Sequence, residues 1–382
     1  MDVLALLAAF LAVVWLQMVI FSAFSFSKLD YRCEFSEKEA HEGDTIYLVE
    51  TVHNGKLLPV PWLKVDIHTS RWLDFAAFNS TVTQDARRVT SSFTLRSYQK
   101  ITRRWKLKCL KRGVFTTENV TLVSGDLLNF QISSVPRPVN ISLMVYPEII
   151  DLEGIFVPVN LVQGDRVVNR WIVDDPFIVA GARDYMAGDP MNRIHWLASA
   201  RTGKLMVKKN EHTSQNSLSV LLNMQSCFYE HADTINKEIV ETGIKVTATL
   251  FDRALKEGMS VRFGTNGCVR PDDRKAIFTG EAANKEHILE LFRILASLIM
   301  KNVKDFEMFM QDILHGMENT EIIIVTAYLS KRICELADLM AISGNTVSIV
   351  LLDTASEPGL RPRNCELYIP ATQNMVKAWE TG

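Results

Sequence analysis

The chain has 382 residues, more than one hydrophobic core usually organises and enough for two domains. Hydrophobic residues make up 47% of it and charged residues 23%, which excludes an intrinsically disordered chain. The net charge of −2 excludes an overall attraction to nucleic acid, so we expect no nucleic-acid partner.

The first predicted element is an apolar helix over residues 3–24, in which only Gln17 and Ser22 are clearly polar. A helix of this length extends about 33 Å, enough to cross the hydrocarbon core of a bilayer. A cleaved signal peptide is the alternative, but it usually starts with a basic segment, and here only Asp2 precedes the apolar run. Basic residues follow the run and none precedes it: Lys28, Arg32 and Lys38. The sequence therefore predicts a single-pass cell-membrane protein, anchored in the membrane by residues 1–27, with a cytoplasmic body.

Residues 28–150 predict an antiparallel β-sandwich, because segments rich in β-branched and aromatic residues recur between turn residues. The candidate strands are 45–52, 62–67, 89–95, 101–109, 114–123 and 141–146. The dipeptide Asn54-Gly55 is typical of a hairpin turn. Pro59, Pro61, Pro136 and Pro138 are expected where strands end.

One candidate strand is strongly basic and alternates between two kinds of side chain. Its two predicted faces are Arg104, Lys106 and Lys108, and Trp105, Leu107 and Cys109. The basic face fits a solvated sheet surface or a contact with anionic lipid head groups, and both interpretations stay open.

The six cysteines form no C-x-x-C pair, so neither a zinc ribbon nor a thioredoxin-like site is expected. Cys109 and Cys334 lie in apolar runs and are interpreted as small buried side chains. Scattered free thiols fit a reducing compartment.

A dense polar motif occupies residues 182–208, within a predicted linker over 151–215. Asp189 and Pro190 are typical of a helix start, and Gly203 is typical of a helix end. His195 and Ser199 are four residues apart, so one helical face could carry a base and a hydroxyl. Such pairs are common by chance, and an internal network or a partner-binding surface is the preferred interpretation. The motif residues to which we assign that structural or partner-binding role are Arg183, Asp184, Tyr185, Gly188, Asp189, Pro190, Arg193, His195, Trp196, Ser199, Arg201 and Lys204.

The motif reads R-D-Y-x-x-G-D-P-x-x-R-I-H-W-x-x-S-A-R-T-G-K-L-x-V-K and resembles the hallmark of domain-of-unknown-function family number fifty-eight. Shorter segments also resemble that family: E-G-D at 42–44, K-R-G-V-F at 111–115, S-G-D-L-L-N-F at 124–130 and Y-P at 146–147. Members of the family often carry two N-terminal membrane helices, whereas this chain shows one. They are often encoded beside MoxR-type AAA+ ATPases, so the resemblance implies such an ATPase as a partner.

Residues 216–382 alternate between predicted strands and helices, which predicts an open, largely parallel sheet with helices on both faces. The region resembles a von Willebrand factor A-like domain. That resemblance implies a divalent cation held by D-x-S-x-S after the first strand, where oxygen ligands suit Mg²⁺. The corresponding positions here are Asn223, Gln225 and Cys227. Because two amides and a thiol replace the carboxylate and the hydroxyls, we predict no high-affinity metal in this degenerate loop, and we expect no cofactor.

The sequence thus predicts an α+β multidomain protein: a transmembrane helix, an antiparallel β-sandwich and a von Willebrand factor A-like α/β open sheet. The preferred function is a non-enzymatic scaffold or assembly factor that works with a MoxR-type AAA+ ATPase on an unspecified client protein. One alternative is a hydrolase-like enzyme with a cleft around His195 and Ser199. The other is a binder of anionic lipid surfaces that uses the basic strand.

Overall fold

A computed structural model gives an α+β protein with two compact units, Met1–Glu148 and Ile149–Gly382. The structure describes residues 2–75, 80–83, 86–126, 128, 130–152, 155–158, 182–184, 196–208, 217–270, 274–353 and 360–370. Each unit has its own sheets, and the two units are described separately.

The first unit contains one helix, α1 (Asp2–Phe24), and ten strands among its described residues. The strands are β1 (Leu29–Phe35), β2 (Glu39–His41), β3 (Thr45–Asn54), β4 (Val60–Ser70), β5 (Leu73–Phe75), β6 (Ser80–Val82), β7 (Ala86–Leu95), β8 (Lys100–Cys109), β9 (Gly113–Gly125) and β10 (Ile132–Tyr146). They form a four-stranded sheet in the order β1-β3-β8-β5 and a six-stranded sheet in the order β2-β10-β9-β4-β7-β6.

The two sheets pack as a β-sandwich, as the alternating sequence pattern predicts. Buried side chains alternate with outward ones along β3 and β7. Leu48 and Leu107 from the four-stranded sheet share one apolar core with Leu63, Phe93 and Leu122 from the other. The sandwich therefore follows from period-two patterning on both sheets.

A buried carboxylate joins the two sheets inside this core. Glu50 is fully buried and accepts hydrogen bonds from the Tyr31 hydroxyl at 2.8 Å, the Ser91 hydroxyl at 2.9 Å and Trp105 Nε1. Burial raises the pKa of Tyr31, and the nearby Glu50 carboxylate raises it further, so the phenol remains a donor. Because Tyr31 and Trp105 belong to one sheet and Ser91 to the other, Glu50 fixes their relative position.

Two local predictions in this unit are wrong. Asn54-Gly55 does not form a hairpin, because β3 and β4 lie in different sheets, and the Asn54 side chain donates to the carbonyls of Leu58 and Arg96. Three of the prolines expected at strand ends lie inside strands: Pro61 within β4, and Pro136 and Pro138 within β10. At Pro136 and Pro138, β10 pairs only with β9 and forms the edge of the sheet. Proline lacks a backbone N–H, but at a sheet edge this interrupts no hydrogen bonds to a second neighbouring strand.

The end of α1 packs against the β-rich unit. Gln17 Nε2 donates to the Asp126 carboxylate at 2.7 Å, and Phe21 is buried. Lys56 Nζ donates to the carbonyl oxygens of Ser25 at 2.5 Å and Ser27 at 3.0 Å, just after the helix. Most of the other large apolar side chains described on the helix are exposed: Leu6, Leu7, Phe10, Leu11, Val13, Trp15, Leu16, Val19, Ile20 and Phe24.

The predicted single-pass membrane topology is wrong. In the described part of the chain, no helix has both the length and the apolarity that crossing a membrane requires. Residues 3–24 are mostly apolar, but within them Gln17 bonds to Asp126 of the β-rich unit and Phe21 is buried. The expectations of a membrane anchor over 1–27 and of a cell-membrane location are withdrawn with it.

The second unit is an α/β unit. Its described helices are α2 (Trp196–Thr202), α3 (Lys237–Glu257), α4 (Lys285–Ser297), α5 (Phe306–Ile313) and α6 (Lys331–Ile342). Its described strands are β11 (Phe156–Pro158), β12 (Ala182–Asp184), β13 (Met206–Lys208), β14 (Ser217–Leu222), β15 (Ser260–Thr265), β16 (Gly267–Val269), β17 (Ile277–Phe278), β18 (Leu298–Asn302), β19 (Glu321–Thr326), β20 (Thr346–Leu351) and β21 (Glu366–Pro370).

The main sheet of this unit has the order β11-β21-β20-β19-β14-β15-β17 among the described residues. The five strands from β21 to β15 pair in parallel, and β11 and β17 pair antiparallel at the two edges. The central strand β14 is buried at every position, as expected for a parallel sheet covered on both faces.

Helices cover both faces of the sheet. Leu221 packs in a core cluster with Phe309 of α5 and Ile333 of α6. Its neighbour Leu222 faces α3, where a Cβ added to Gly243 would lie 3.2 Å from Leu222 Cδ1. Because consecutive strand residues point to opposite faces, α3 lies on one face and α5 and α6 on the other. The predicted parallel sheet with helices on both faces is confirmed.

Candidate functional site

Open α/β sheets bind ligands beyond the carboxyl ends of their strands, at the point where the strand order reverses. Here β14 continues to β15 on one side and meets β19 on the other, so the reversal lies between β14 and β19. Asn223 follows β14, Asn266 follows β15, and Thr326 ends β19. All three are fully buried, so this end of the sheet is polar but closed to solvent.

Asn223 is at the centre of a hydrogen-bonded group. Its Nδ2 donates to Thr326 Oγ1 at 3.1 Å. Its Oδ1 accepts from the backbone N–H of Gln225 at 2.9 Å and from Asn266 Nδ2 at 3.4 Å. The Asn223 side-chain oxygen thus accepts two hydrogen bonds within the protein.

Gln225 links the loop after β14 to the start of α5. Its Nε2 donates to the carbonyl of Glu230 at 2.7 Å, and its Oε1 accepts from the first N–H of α5, on Phe306, at 2.8 Å. Asn266 Nδ2 also donates to that oxygen at 3.3 Å, and Asn266 Oδ1 accepts from Met224 N–H at 2.8 Å. We call the side chains of Asn223, Gln225 and Asn266 the amide network.

A buried carboxylate folds the next segment of chain. Glu230 accepts from the backbone N–H groups of Ser226 and Ile235 and from the Ser226 hydroxyl at 3.1 Å. Thr234 Oγ1 donates to the carbonyl of Met224 at 3.0 Å. These bonds fold residues 226–235 into a compact loop. The loop is joined to the amide network by the bond from Gln225 to the Glu230 carbonyl.

That loop exposes apolar side chains. Tyr229 is 84% exposed, Ile235 is 74% exposed and Phe228 is 50% exposed. The rings of Phe228 and Tyr229 meet edge to face with centroids 5.2 Å apart, and Phe228 lies 6.4 Å from Tyr328. We call residues 226–235 the aromatic loop, because exposed aromatic side chains of this kind are common at protein interfaces.

Tyr328 connects the aromatic loop to the amide network. Burial raises the pKa of Tyr328, and the nearby carboxylates of Glu307 and Asp305 and the thiol of Cys227 raise it further, against a hydrogen bond with Asn223. The phenol therefore stays neutral in the physiological range. The site contains hydrogen-bonding groups, but Tyr328 does not act there as an anionic base or nucleophile.

The sequence motif lies elsewhere in the unit and is described only in part. Arg183 and Asp184 lie in β12, which pairs antiparallel with β13, and Trp196 is the first described residue of α2. Gly203 has φ +68° and its N–H donates to Ser199 O at 2.9 Å, which confirms the predicted end of the helix. Arg201 and Lys204 are exposed. Motif residues outside the described part of the chain are Tyr185, Gly188, Asp189, Pro190, Arg193 and His195.

Ser199 has a structural role. Its Oγ accepts from Met206 N–H at 2.8 Å and donates to Met206 O at 3.4 Å, which ties α2 to β13. The motif thus contributes a short strand pair and a helix.

A family model covers both the motif and most of the α/β unit. Residues 181–358 match the family described as protein of unknown function DUF58. The match includes the motif on which the resemblance rested and supports it. The shorter similar segments before residue 181 lie outside the matched range.

Three solved structures illustrate the similarity beyond DUF58. A non-cellulosomal cohesin from Archaeoglobus fulgidus is 12% identical over 31% of this chain and 91% of its own, with a TM-score of 0.21. The PapD-like domain 7 of human CEP192 is 13% identical over 32% and 87%, with a TM-score of 0.20. The CARDB domain of the PF1109 protein from Pyrococcus furiosus is 12% identical over 31% and 96%, with a TM-score of 0.19. At these TM-scores the similarity supports no inference. No curated protein matches the chain.

Within the DUF58 match, the amide network is poorly suited to a divalent ion. The oxygens of Asn223 and Gln225 each accept two protein N–H groups, and a metal ion would have to displace them. Cys227 is half-buried. Across the described residues, no three His, Cys, Asp or Glu side chains are grouped so as to hold a metal. The absence of a resident metal stays a prediction.

Sequence reasoning found Asn223 and Gln225 in the DUF58 segment but missed their partners. Asn266, in the turn over 264–267 that follows β15, was not singled out. Thr326 and Glu230 were not singled out either. One signal was available for two of them, because Asn266 and Thr326 lie at the carboxyl ends of strands adjacent to β14.

Proposed function

We propose that this chain is a non-enzymatic scaffold or assembly factor whose α/β unit binds a partner protein through the aromatic loop. The proposal rests on one observation: the amide network is buried and neutral, and the loop hydrogen-bonded to it exposes aromatic side chains. A network whose polar groups bond to one another supplies rigidity. The exposed rings of Phe228 and Tyr229 supply the contact area that partner proteins use.

The α/β unit is proposed to be a von Willebrand factor A-like module without its metal. Numbered along the chain, the strands from β14 to β21 that form the main sheet take the order 3-2-1-4-5-6. This order has a single reversal, beside the first strand, and Asn223 and Gln225 occupy the loop at that point. Hydrogen-bonded amides there favour a contact surface that acts without a bridging cation.

A MoxR-type AAA+ ATPase is the proposed partner, by analogy with the gene neighbourhoods of the family that the motif resembles. The DUF58 match over residues 181–358 supports that analogy. The client of such a pair stays unspecified.

The hydrolase-like alternative gains no support from the geometry of Ser199. A nucleophilic serine needs its hydroxyl directed at a base and a substrate. The Ser199 hydroxyl is instead bonded to both backbone groups of Met206.

Co-purification with quantitative mass spectrometry tests the proposal. The tagged full-length chain is cross-linked in cells and compared with a Phe228→Ser, Tyr229→Ser variant and with a control, Met308→Ser, Ile342→Ser. The control removes two other exposed apolar side chains, 60% and 71% exposed. A AAA+ ATPase should be recovered with the wild type and the control, and about tenfold less with the loop variant, a loss of about 1.4 kcal/mol.

Two results would contradict this account. Consistent absence of a AAA+ ATPase from the wild-type sample would remove the proposed partner. Equal recovery with the loop variant would show that the aromatic loop is not the contact surface.

A further inference from the structure

The outward face of the four-stranded sheet in the first unit carries a line of cations. Along β8, every second side chain points away from the core, because Leu107 and Cys109 are fully buried between exposed neighbours. Arg104, Lys106 and Lys108 therefore project from one face of one strand, and we call them the cation row.

The cation row is electrostatically unsatisfied. Within the described residues, none of its three side chains has a hydrogen bond or an ion pair. Asp74 lies opposite Lys108 in the strand register, but its carboxylate pairs with Arg87 at 2.7 Å instead. Three uncompensated like charges on one strand repel one another, and an anionic partner relieves that repulsion.

The row is a line and not a broad basic surface. On β1, two strands away, Glu34 is exposed on the same sheet and lies level with Arg104, because Val49 of β3 lies opposite both residues. Neighbouring strands lie about 4.8 Å apart, so this carboxylate borders the row at roughly 10 Å. Asp74 on β5 borders its other side.

We propose that this face binds an extended acidic segment of a partner protein, with carboxylates at alternate positions. Alternate residues of an extended chain are about 6.8 Å apart, which matches the spacing of the cations along β8. Tyr47 lies opposite Lys106 in the register and is 44% exposed, so it offers a ring beside the row. This surface belongs to the first unit and is independent of the aromatic loop.

Two other anionic partners fit this face less well. A planar layer of anionic lipid heads would be brought against Glu34 and Asp74 as well as the cations. Single-stranded nucleic acid is usually held by cations interleaved with several aromatic rings, whereas the strand register places one exposed ring, that of Tyr47, beside the three cations.

Fluorescence anisotropy with the purified full-length chain tests the proposal. The probe is a labelled peptide in which glutamate alternates with serine over seven positions. The test variant is Arg104→Ser, Lys106→Ser, Lys108→Ser. The matched control is Lys237→Ser, Lys285→Ser, Lys331→Ser, which removes the same charge from exposed lysines of the second unit. Wild type and control should bind in a salt-sensitive manner, and the test variant at least about tenfold more weakly.

A single charge reversal, Lys106→Glu, keeps the test decisive if the triple variant folds poorly. It lowers the net charge of the row from +3 to +1 and should therefore weaken binding of the acidic probe. Equal affinity of wild type and triple variant, or no peptide binding at low salt, would overturn the proposal. Stronger binding to phosphatidylserine vesicles or to oligothymidylate than to the peptide would overturn it in favour of those partners.

Discussion

At the scale of single residues, the decisive feature is the pair of buried amides, Asn223 and Gln225, in the loop after β14. A buried carboxylate needs a cation or several donors to offset its desolvation, whereas a buried amide needs only hydrogen bonds. Asn223 and Gln225 obtain those bonds from Thr326, Asn266 and Phe306. The loop can therefore be buried without a metal ion.

We expect Asn223→Ala to lower the free energy of unfolding by about 2–3 kcal/mol, because it leaves the buried backbone N–H of Gln225 without its acceptor and removes the bond to Thr326. Urea denaturation at neutral pH measures the effect. Ile235→Ala is the control in the same segment, since its side chain is 74% exposed, and should change stability by less than about 0.5 kcal/mol. If both variants were equally stable, the amide network would not be a stabilising element.

The sequence identifies only part of this site, and the reason is chain separation. Asn223 and Gln225 follow an apolar run directly, so their place after a strand could be predicted. Thr326 is 103 residues from Asn223 and Asn266 is 43 residues away. Their proximity depends on which strands are neighbours, which local patterns do not specify.

At the scale of elements, the alternation of apolar and polar residues predicts a strand well when that strand has a neighbouring strand on each side. The prediction fails where a strand lies at the edge of its sheet. Period-two alternation correctly predicts β8, with Leu107 and Cys109 inside the sandwich. Pro136 and Pro138 were expected to end a strand because proline breaks a ladder, but β10 has a free edge at those residues. Asn54-Gly55 was expected to make a hairpin, yet the chain passes there from one sheet to the other.

The packing of α3 predicts a change in stability opposite in sign to the change that helix propensity alone predicts. In an exposed helix, Gly→Ala stabilises by up to about 1 kcal/mol. At Gly243 a Cβ would lie 2.8 Å from Leu352 Cδ1 and 3.2 Å from Leu222 Cδ1. We therefore expect Gly243→Ala to destabilise the protein by about 1–3 kcal/mol.

Thermal or urea unfolding measures this effect, with Lys237→Ala, an exposed position in the same helix, as the control. The control should be neutral or slightly stabilising. A stabilised Gly243→Ala variant would mean that α3 lies further from the sheet than described.

At the scale of the whole molecule, the sequence predicts the two kinds of architecture but not their details. A β-sandwich followed by a parallel α/β sheet follows from patterning, because period two and strand–helix alternation are local signals. The strand order within each sheet requires the three-dimensional fold. The membrane prediction failed because hydropathy over residues 3–24 does not register contacts such as that of Gln17 with Asp126.

Calorimetric titration of Mg²⁺ into the full-length chain at neutral pH tests the central claim most directly, namely that the reversal point beside β14 works as a metal-free contact site. Titration of the wild-type chain should show no saturable heat of Mg²⁺ binding that is lost in Asn223→Leu. Saturable binding that Asn223→Leu abolishes and Ile235→Ala retains would contradict the claim, because it would show that the loop holds a cation.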